Sequence, residues 1–398
     1  MRRRLVLIVA VAFAAACSTS PGDPGEAGSA RVQVVTPLPP EAMAGVGYRL
    51  YAARDDITVN GRSAVDTFGV SSIIALPDGT IFALQDARVS VADSDDHSLG
   101  RDRGLALVRI TPDGVASLVE GPYADRERGL DVGPLCASAD GTLFALATET
   151  YRLVARDPDG SWRDVTAGPD AVDGLVSAGD GGPARQATLG LVRACAATAD
   201  GSIYLAEDCL VRRIGPDGTI DTVAGRRDRG SDRGAGCGQV DSENRHDPPT
   251  VPVPSYEGPA REAELGELSA LAAAPDGSVW ISALRGLQQL TPDGRIRSVP
   301  VPDELVGPYA ITGLDTLPDG TLLTAYGVYG PTGIASRDPV TGAWTILVPP
   351  DSNFVGVAAP APLGDLTLYR ARIASSADRV YLAVAAGDNA GIIMVPWD

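Results

Sequence analysis

The chain has 398 residues, 44% of them hydrophobic and 21% charged, so it can bury a sizeable core and is neither a disordered polypeptide nor a long coiled coil. Its 46 Gly and 31 Pro interrupt helices and punctuate turns, which favours many short strands. The 33 basic and 51 acidic residues leave a net charge of -18, which argues against nucleic acid, whose phosphates need a basic footprint, and against an anionic lipid surface.

Arg2, Arg3 and Arg4 followed by the apolar run Leu5 to Ala16 have the charged and apolar regions of a secretory signal. The run is too short to span a bilayer. It ends Ala14-Ala15-Ala16-Cys17, which resembles the bacterial lipoprotein signal, although Ala14 stands where Leu is usual. Residues 1–16 are expected to be removed and Cys17 to carry lipid; ordinary cleavage at the Ala-x-Ala site is the alternative. Ser18 to Ala30 is small, polar and rich in Pro and Gly, so 17–45 is expected to be a flexible tether at the outer face of a cell membrane, with the lipid as the only membrane contact.

Excluding Cys17, four cysteines remain: Cys136, Cys195, Cys209 and Cys237. An even number in an oxidising compartment predicts two disulfides, with three connectivities open. No Cys-x-x-Cys pair supports a zinc module.

A repeated phrase organises the remainder: an apolar strand, then Pro/Ala-Asp-Gly, then a second strand. Copies begin at Ser71, Pro134, Arg193, Ser269, Gly313 and Ala371, the last with Asp378-Arg379 in place of Asp-Gly. Asp-Gly between two apolar runs is a strong hairpin signal, because Gly takes positive φ without steric cost. Four copies carry a second hairpin of the same kind, at Leu107, Leu153, Val211 and Leu287, and the fifth substitutes Ser336 to Leu347. Two hairpins per copy predict four-stranded antiparallel blades, and six of them a β-propeller over 46–398. The sixth copy runs out of chain after three strands, so the segment Gly47 to Val59 is expected to return as its missing outer strand. Val46 to Asp398 is 353 residues, roughly 59 per unit against roughly 40 to 45 in a compact propeller repeat. The surplus is expected in loops.

At Gly179 to Leu189 the chain reads GDGGPARQATL, then a strand pair through Glu207-Asp208, then LVRRIGPDGTIDTVAG to Gly225. This resembles the NHL repeat, and the resemblance returns in eroded form from Tyr256 to Val299. It implies a six-bladed propeller of a family used chiefly as an extracellular recognition platform, with a minority of similar propellers acting as lactonases or lyases.

Histidine-rich lyase chemistry finds no support in the residues. His97 and His246 are the only histidines, and both lie in hydrophilic insertions. A lactonase-like calcium site would need carboxylates and Asn at the channel mouth, but Asn60, Asn244, Asn353 and Asn389 all fall outside the hairpin cores. Asp93, Asp95 and Asp96 lack the pattern of a calcium loop, and GDGGPA has no following Lys-Ser/Thr to make it a phosphate loop. Trp162, Trp280 and Trp344 read as core.

Candidate binding residues are therefore Glu207 and Asp208 at a strand end, with Arg226, Arg227, Arg229 and Arg233 opening a long inter-blade segment. In a propeller, the loops between blades and those joining second to third strands open on the same face. This favours Cys209 with Cys237, and places Cys136 near Cys195 on neighbouring inner strands. The sequence thus reads as a lipid-anchored, non-catalytic platform without cofactor or catalytic residue, binding an envelope protein, glycan or small ligand. A calcium-dependent lactonase- or lyase-like envelope enzyme is the alternative.

Overall fold

The computed structural model describes residues 33–35, 58–59, 62–63, 66–89, 102–112, 116–119, 134–147, 151–168, 177–226, 256–283, 286–302, 305, 311–327, 331–348, 368–369, 372–377, 379–386 and 389–396. They form an all-β propeller of six sheets with four or five strands each, plus a two-stranded ribbon.

Every sheet is an up-and-down run of antiparallel strands. Sheet one is Asp66–Ala75, Ile81–Val89, Asp102–Ile110 and Ala116–Leu118. Sheet two is Leu135–Ala137, Leu143–Ala147, Arg152–Arg156 and Trp162–Asp164. Sheet three is Val192–Ala197, Ile203–Glu207, Leu210–Ile214 and Thr219–Ala224, and sheet four is Leu268–Ala273, Val279–Ala283, Gly286–Leu290 and Arg295–Val299. Sheet five is Ile311–Thr316, Leu322–Tyr326, Pro331–Arg337 and Trp344–Val348, with Leu368–Tyr369 against its third strand. Sheet six is Arg372–Ser376, Arg379–Ala386 and Asn389–Pro396. The first strand of each sheet touches the first strand of the next, and that of sheet six touches that of sheet one, so the inner strands close a ring.

Two expectations are corrected. The outer strand of sheet six is Gln33–Val35, paired antiparallel with Asn389–Pro396 (Gln33 opposite Met394), and not the segment Gly47 to Val59. Of that segment the structure describes Thr58–Val59, which pairs with Arg62–Ser63 in the small ribbon. The closing strand thus comes from within the stretch read as tether, where Val34 and Val35 are its β-branched residues. Nor are the sheets uniformly four-stranded. Gly182–Pro183 and Glu257–Pro259 add a fifth strand to the outer edges of sheets three and four. The glycine-rich segment therefore covers an edge that would otherwise expose unpaired backbone groups, as well as crossing to the inner strand.

The repeated turns are three-residue loops. In the first, Gly79 N–H donates to Leu76 O and Leu76 N–H to Thr80 O, while the Asp78 carboxylate accepts from Thr80 N–H at 2.8 Å. The Asp residue keeps negative φ and only Gly79, at φ +82°, is left-handed, so glycine ends the turn instead of sharing its centre. In sheet six Ser376 pairs directly with Arg379, a tighter connection that dispenses with this glycine.

The apolar cores lie between sheets. Phe82, Leu84, Leu143 and Ala145 join sheets one and two; Phe144, Leu153, Leu205 and Ile220 join two and three; Val211, Leu271, Ile281 and Ile296 join three and four. Trp280, Leu314, Leu322 and Ala335 join four and five. Polar clips reinforce the ring: Leu135 N–H donates to Ser72 Oγ at 3.2 Å, and Ser269 and Ser282 hydroxyls both donate to Ile311 O at 2.9 Å. A disulfide joins Cys136 to Cys195 across the inner strands of sheets two and three, with Cα atoms 5.7 Å apart.

This topology makes the two ends of the propeller unlike. First-to-second and third-to-fourth strand connections share one end, where they are short turns, most of them Asp-Gly. Second-to-third and sheet-to-sheet connections share the other end; the stretches 90–101, 120–133, 227–255 and 349–367 between those strands lie outside the described residues.

Replacing Cys136 and Cys195 together by Ala should lower unfolding stability by about 2–4 kcal/mol, since the bridge closes a long loop in the unfolded chain. A fall in the urea midpoint relative to the oxidised protein is the measurement.

Candidate functional site

At the long-loop end of sheet three, strand Ile203–Glu207 turns into Leu210–Ile214 through two residues, and Asp208 takes φ +50° to make that link. Asp208 N–H donates to Leu191 O at 3.2 Å, and Asp208 O accepts from Leu268 N–H at 2.9 Å, so its backbone ties sheet three to the first strand of sheet four.

Glu207 is 1% exposed. Its Oε2 accepts from Gly190 N–H at 3.0 Å and, in a short hydrogen bond, from the Ser177 hydroxyl. Its Oε1 lies 3.4 Å from Arg212 Nη1. Arg212 is itself fully buried. Its guanidinium donates to Asp180 Oδ1 from Nε at 3.0 Å and Nη2 at 2.7 Å, to Thr188 O at 2.9 Å and to Ala178 O at 3.1 Å. Burial pushes the Glu207 carboxyl above its ordinary range, with the Arg212 charge and the Ser177 and Gly190 hydrogen bonds opposing it. Asp180 is also raised by partial burial, but the Thr222 hydroxyl and Arg212 outweigh this and hold it below the usual range.

The network fastens the glycine-rich segment onto sheet three. Glu207, a candidate binding residue in the sequence, has its side chain beneath the surface, where it is paired with Arg212. Arg212, Ser177 and Asp180 escaped sequence reasoning. The one available signal was an arginine at a position of the third strand whose alternation pattern buries it.

Ser177, Asp180, Leu210, Thr222, Gly225 and Arg226 line a cavity of about 250 Å³ beside this network. Arg226 is ion-paired with Glu264, which leaves its side chain about half exposed. Gly225, the close of the Val-Ala-Gly phrase, has φ +86°, and a Cβ there would meet Cys209 O at 2.2 Å, so the cavity wall admits no side chain at that point. Cys209 is disulfide-bonded. Arg227, Arg229, Arg233, Cys237, Cys17, His97 and His246 lie outside the described residues.

At the turn end of the propeller, the inner strand of sheet five carries Asp315. Its carboxylate accepts from Thr316 N–H at 2.8 Å and from Ser375 Oγ, on the next inner strand, at 2.9 Å. Withdrawal from water raises this carboxyl to about 6, against the hydrogen bonds from Ser375 and Thr316. Its counterparts in the other copies are Ile74, Cys136, Ala196, Ala272 and Ala374, so an acid here departs from the repeat. Among the described residues no three His, Cys, Asp or Glu side chains come together as a metal site. Trp280 is buried, and Trp162 and Trp344 pack against core clusters, as read from the sequence.

No family model and no curated protein matches the chain. Solved structures similar to it include virginiamycin B lyase from Staphylococcus aureus, 12% identical with TM-score 0.45, covering 83% of this chain and 96% of that one. A gluconolactonase from Xanthomonas campestris is 14% identical with TM-score 0.46, covering 84% and 87%. A protein of unknown function from Bacteroides thetaiotaomicron is 13% identical with TM-score 0.49, covering 84% and 71%.

Arg212→Met should cost about 3–5 kcal/mol, because it leaves Glu207 buried without its counter-charge, and adding Glu207→Leu should restore most of the loss. Urea denaturation of both variants tests this. Asp315 has a folded value of about 6, above the unfolded value near about 4, so its stabilising contribution is full below about pH 4 and is lost as pH rises through about 6. The stability of the protein minus that of Asp315→Asn should therefore fall over that window when urea midpoints are compared.

Proposed function

We propose that the chain is a six-bladed NHL-type propeller, held outside the cytoplasm by lipid on Cys17, whose long-loop end binds an envelope protein, glycan or small ligand. The observation that carries this reading is the inequality of the two ends. One is built from short turns whose carboxylates satisfy their own backbone, as in Asp78, Asp140, Asp200 and Asp276. The other carries the second-to-third and sheet-to-sheet connections, which include the longest stretches of sequence between strands, and recognition residues concentrate on such connections of a rigid scaffold. The Glu207-Arg212 network stiffens sheet three beneath that end. A stiff support lowers the ordering cost of binding.

A second reading is a lactonase- or lyase-like envelope enzyme that holds calcium between carboxylates. Asp315 favours it, since a carboxyl raised to about 6 on an inner strand is of the kind that exchanges protons near neutrality.

Two experiments test the proposal. Cys17→Ser should release the protein from the membrane pellet and remove the lipid mass; continued sedimentation with the membrane would overturn the anchor. A photo-crosslinking residue should capture a partner from Leu191, exposed at the long-loop end, and not from Val340, exposed at the turn end. The reverse pattern would sink the assignment of the face, and stoichiometric calcium that leaves together with a hydrolytic activity would favour the second reading.

A further inference from the structure

The cleft between sheets four and five, at the turn end of the propeller, holds two arginines that form no ion pair within 4 Å among the described residues. Across sheet four Trp280 lies opposite Gln289, and Gln289 opposite Arg297, so the three side chains share one face. Across sheet five Leu322 lies opposite Arg337, and Arg337 opposite Trp344. These faces meet: the Arg337 guanidinium sits 5.5 Å from the centroid of the Trp280 ring, and Trp344 Nε1 donates to Pro300 O at 3.2 Å, closing the outer side.

Arg297 is held in place by a polar relay. Its Nε and Nη2 donate to Gln289 Oε1 at 3.1 and 2.7 Å, Gln289 Nε2 donates to Ser278 Oγ at 2.7 Å, and Ser278 Oγ donates to Asp276 Oδ1 at 2.6 Å. That relay uses one edge of the guanidinium and leaves Nη1. Arg337 Nε is buried with no hydrogen-bond partner, and so is Nε1 of Trp280, a residue 4% exposed. Among the described residues neither arginine has a carboxylate within 4 Å, whereas in sheet three Arg212 has two and Arg213 one. Asp338, next to Arg337, spends its carboxylate on Val340 and Thr341 N–H. Glu257 lies opposite Arg297 in register and is exposed. Burial, and then the Arg297 charge, lower the Arg337 pKa, and the Asp338 charge only partly opposes them.

Buried donors without partners cost free energy, and a second cation beside one of them adds repulsion. One added group relieves both: an oxyanion accepting from the guanidiniums. We propose that this cleft is a binding site for a small oxyanion head group, a carboxylate or a phosphate, held between Arg337 and Arg297 against the Trp280 indole. Guanidinium forks match both anions through paired N–H donors. The site lies at the opposite end of the propeller from the long-loop face and does not depend on what that face binds.

The test titrates the intact protein with inorganic phosphate and, separately, with sodium acetate at constant ionic strength, followed by calorimetry and tryptophan fluorescence. A saturable one-site isotherm is expected for at least one of them, about tenfold or more weaker in Arg337→Gln and in Arg297→Gln, and unchanged in Arg163→Gln, whose side chain pairs with Asp157 elsewhere. Preference for phosphate assigns a phosphate ester as the ligand group, and preference for acetate a carboxylate. Arg297→Gln alters an exposed side chain, so it carries the test if Arg337→Gln lowers the melting temperature. Absence of saturation with both anions, or equal binding by both variants and the native protein, would overturn the site.

Discussion

A ring of antiparallel sheets has one constraint that an open stack does not: its last member must meet its first. Here sheet six has three strands from the end of the chain and takes its fourth, Gln33–Val35, from the beginning. The pairing ties the two ends of the domain together, and the inner strands of sheets six and one are then in contact. Each apolar cluster lies between two sheets, so no sheet buries its faces without its neighbours. Closure is what lets short, individually weak sheets share their cores.

Ties between neighbours are polar as well as apolar, and they vary around the ring. Sheets two and three have a disulfide, sheets four and five have serine hydroxyls on Ile311 O, and sheets five and six have Ser375 on Asp315. Sheet three alone carries the full Glu207-Arg212-Asp180 network, which fixes the glycine-rich segment over its outer edge. The eroded copy in sheet four keeps the Gly-Pro edge strand and its short 3-10 turn but reads Gln288 where sheet three has Arg212. The geometry of the edge strand therefore survives without the buried ion pair.

The two ends of the molecule divide the work differently. At the turn end the backbone is nearly self-sufficient, and between sheets four and five Arg337 lies over Trp280 while Arg297 is held by Gln289. At the long-loop end the scaffold supplies a stiff rim, and the Ser177, Asp180 and Arg226 cavity opens there.

The sequence by itself determined the hairpins, the repeat and the propeller. Alternating apolar runs and Pro-Asp-Gly are local signals, and a strand or turn obeys its own few residues. Only the tertiary structure decided which segment closes the ring, because Gln33–Val35 and Gly47 to Val59 are both plausible as strands in isolation. It alone shows that Glu207 is buried, since burial depends on the segment 177–190 folding back over it. Arg297 and Arg337 are 40 residues apart, each in an ordinary hairpin. Their meeting is a property of two sheets packed face to face, which no local pattern records.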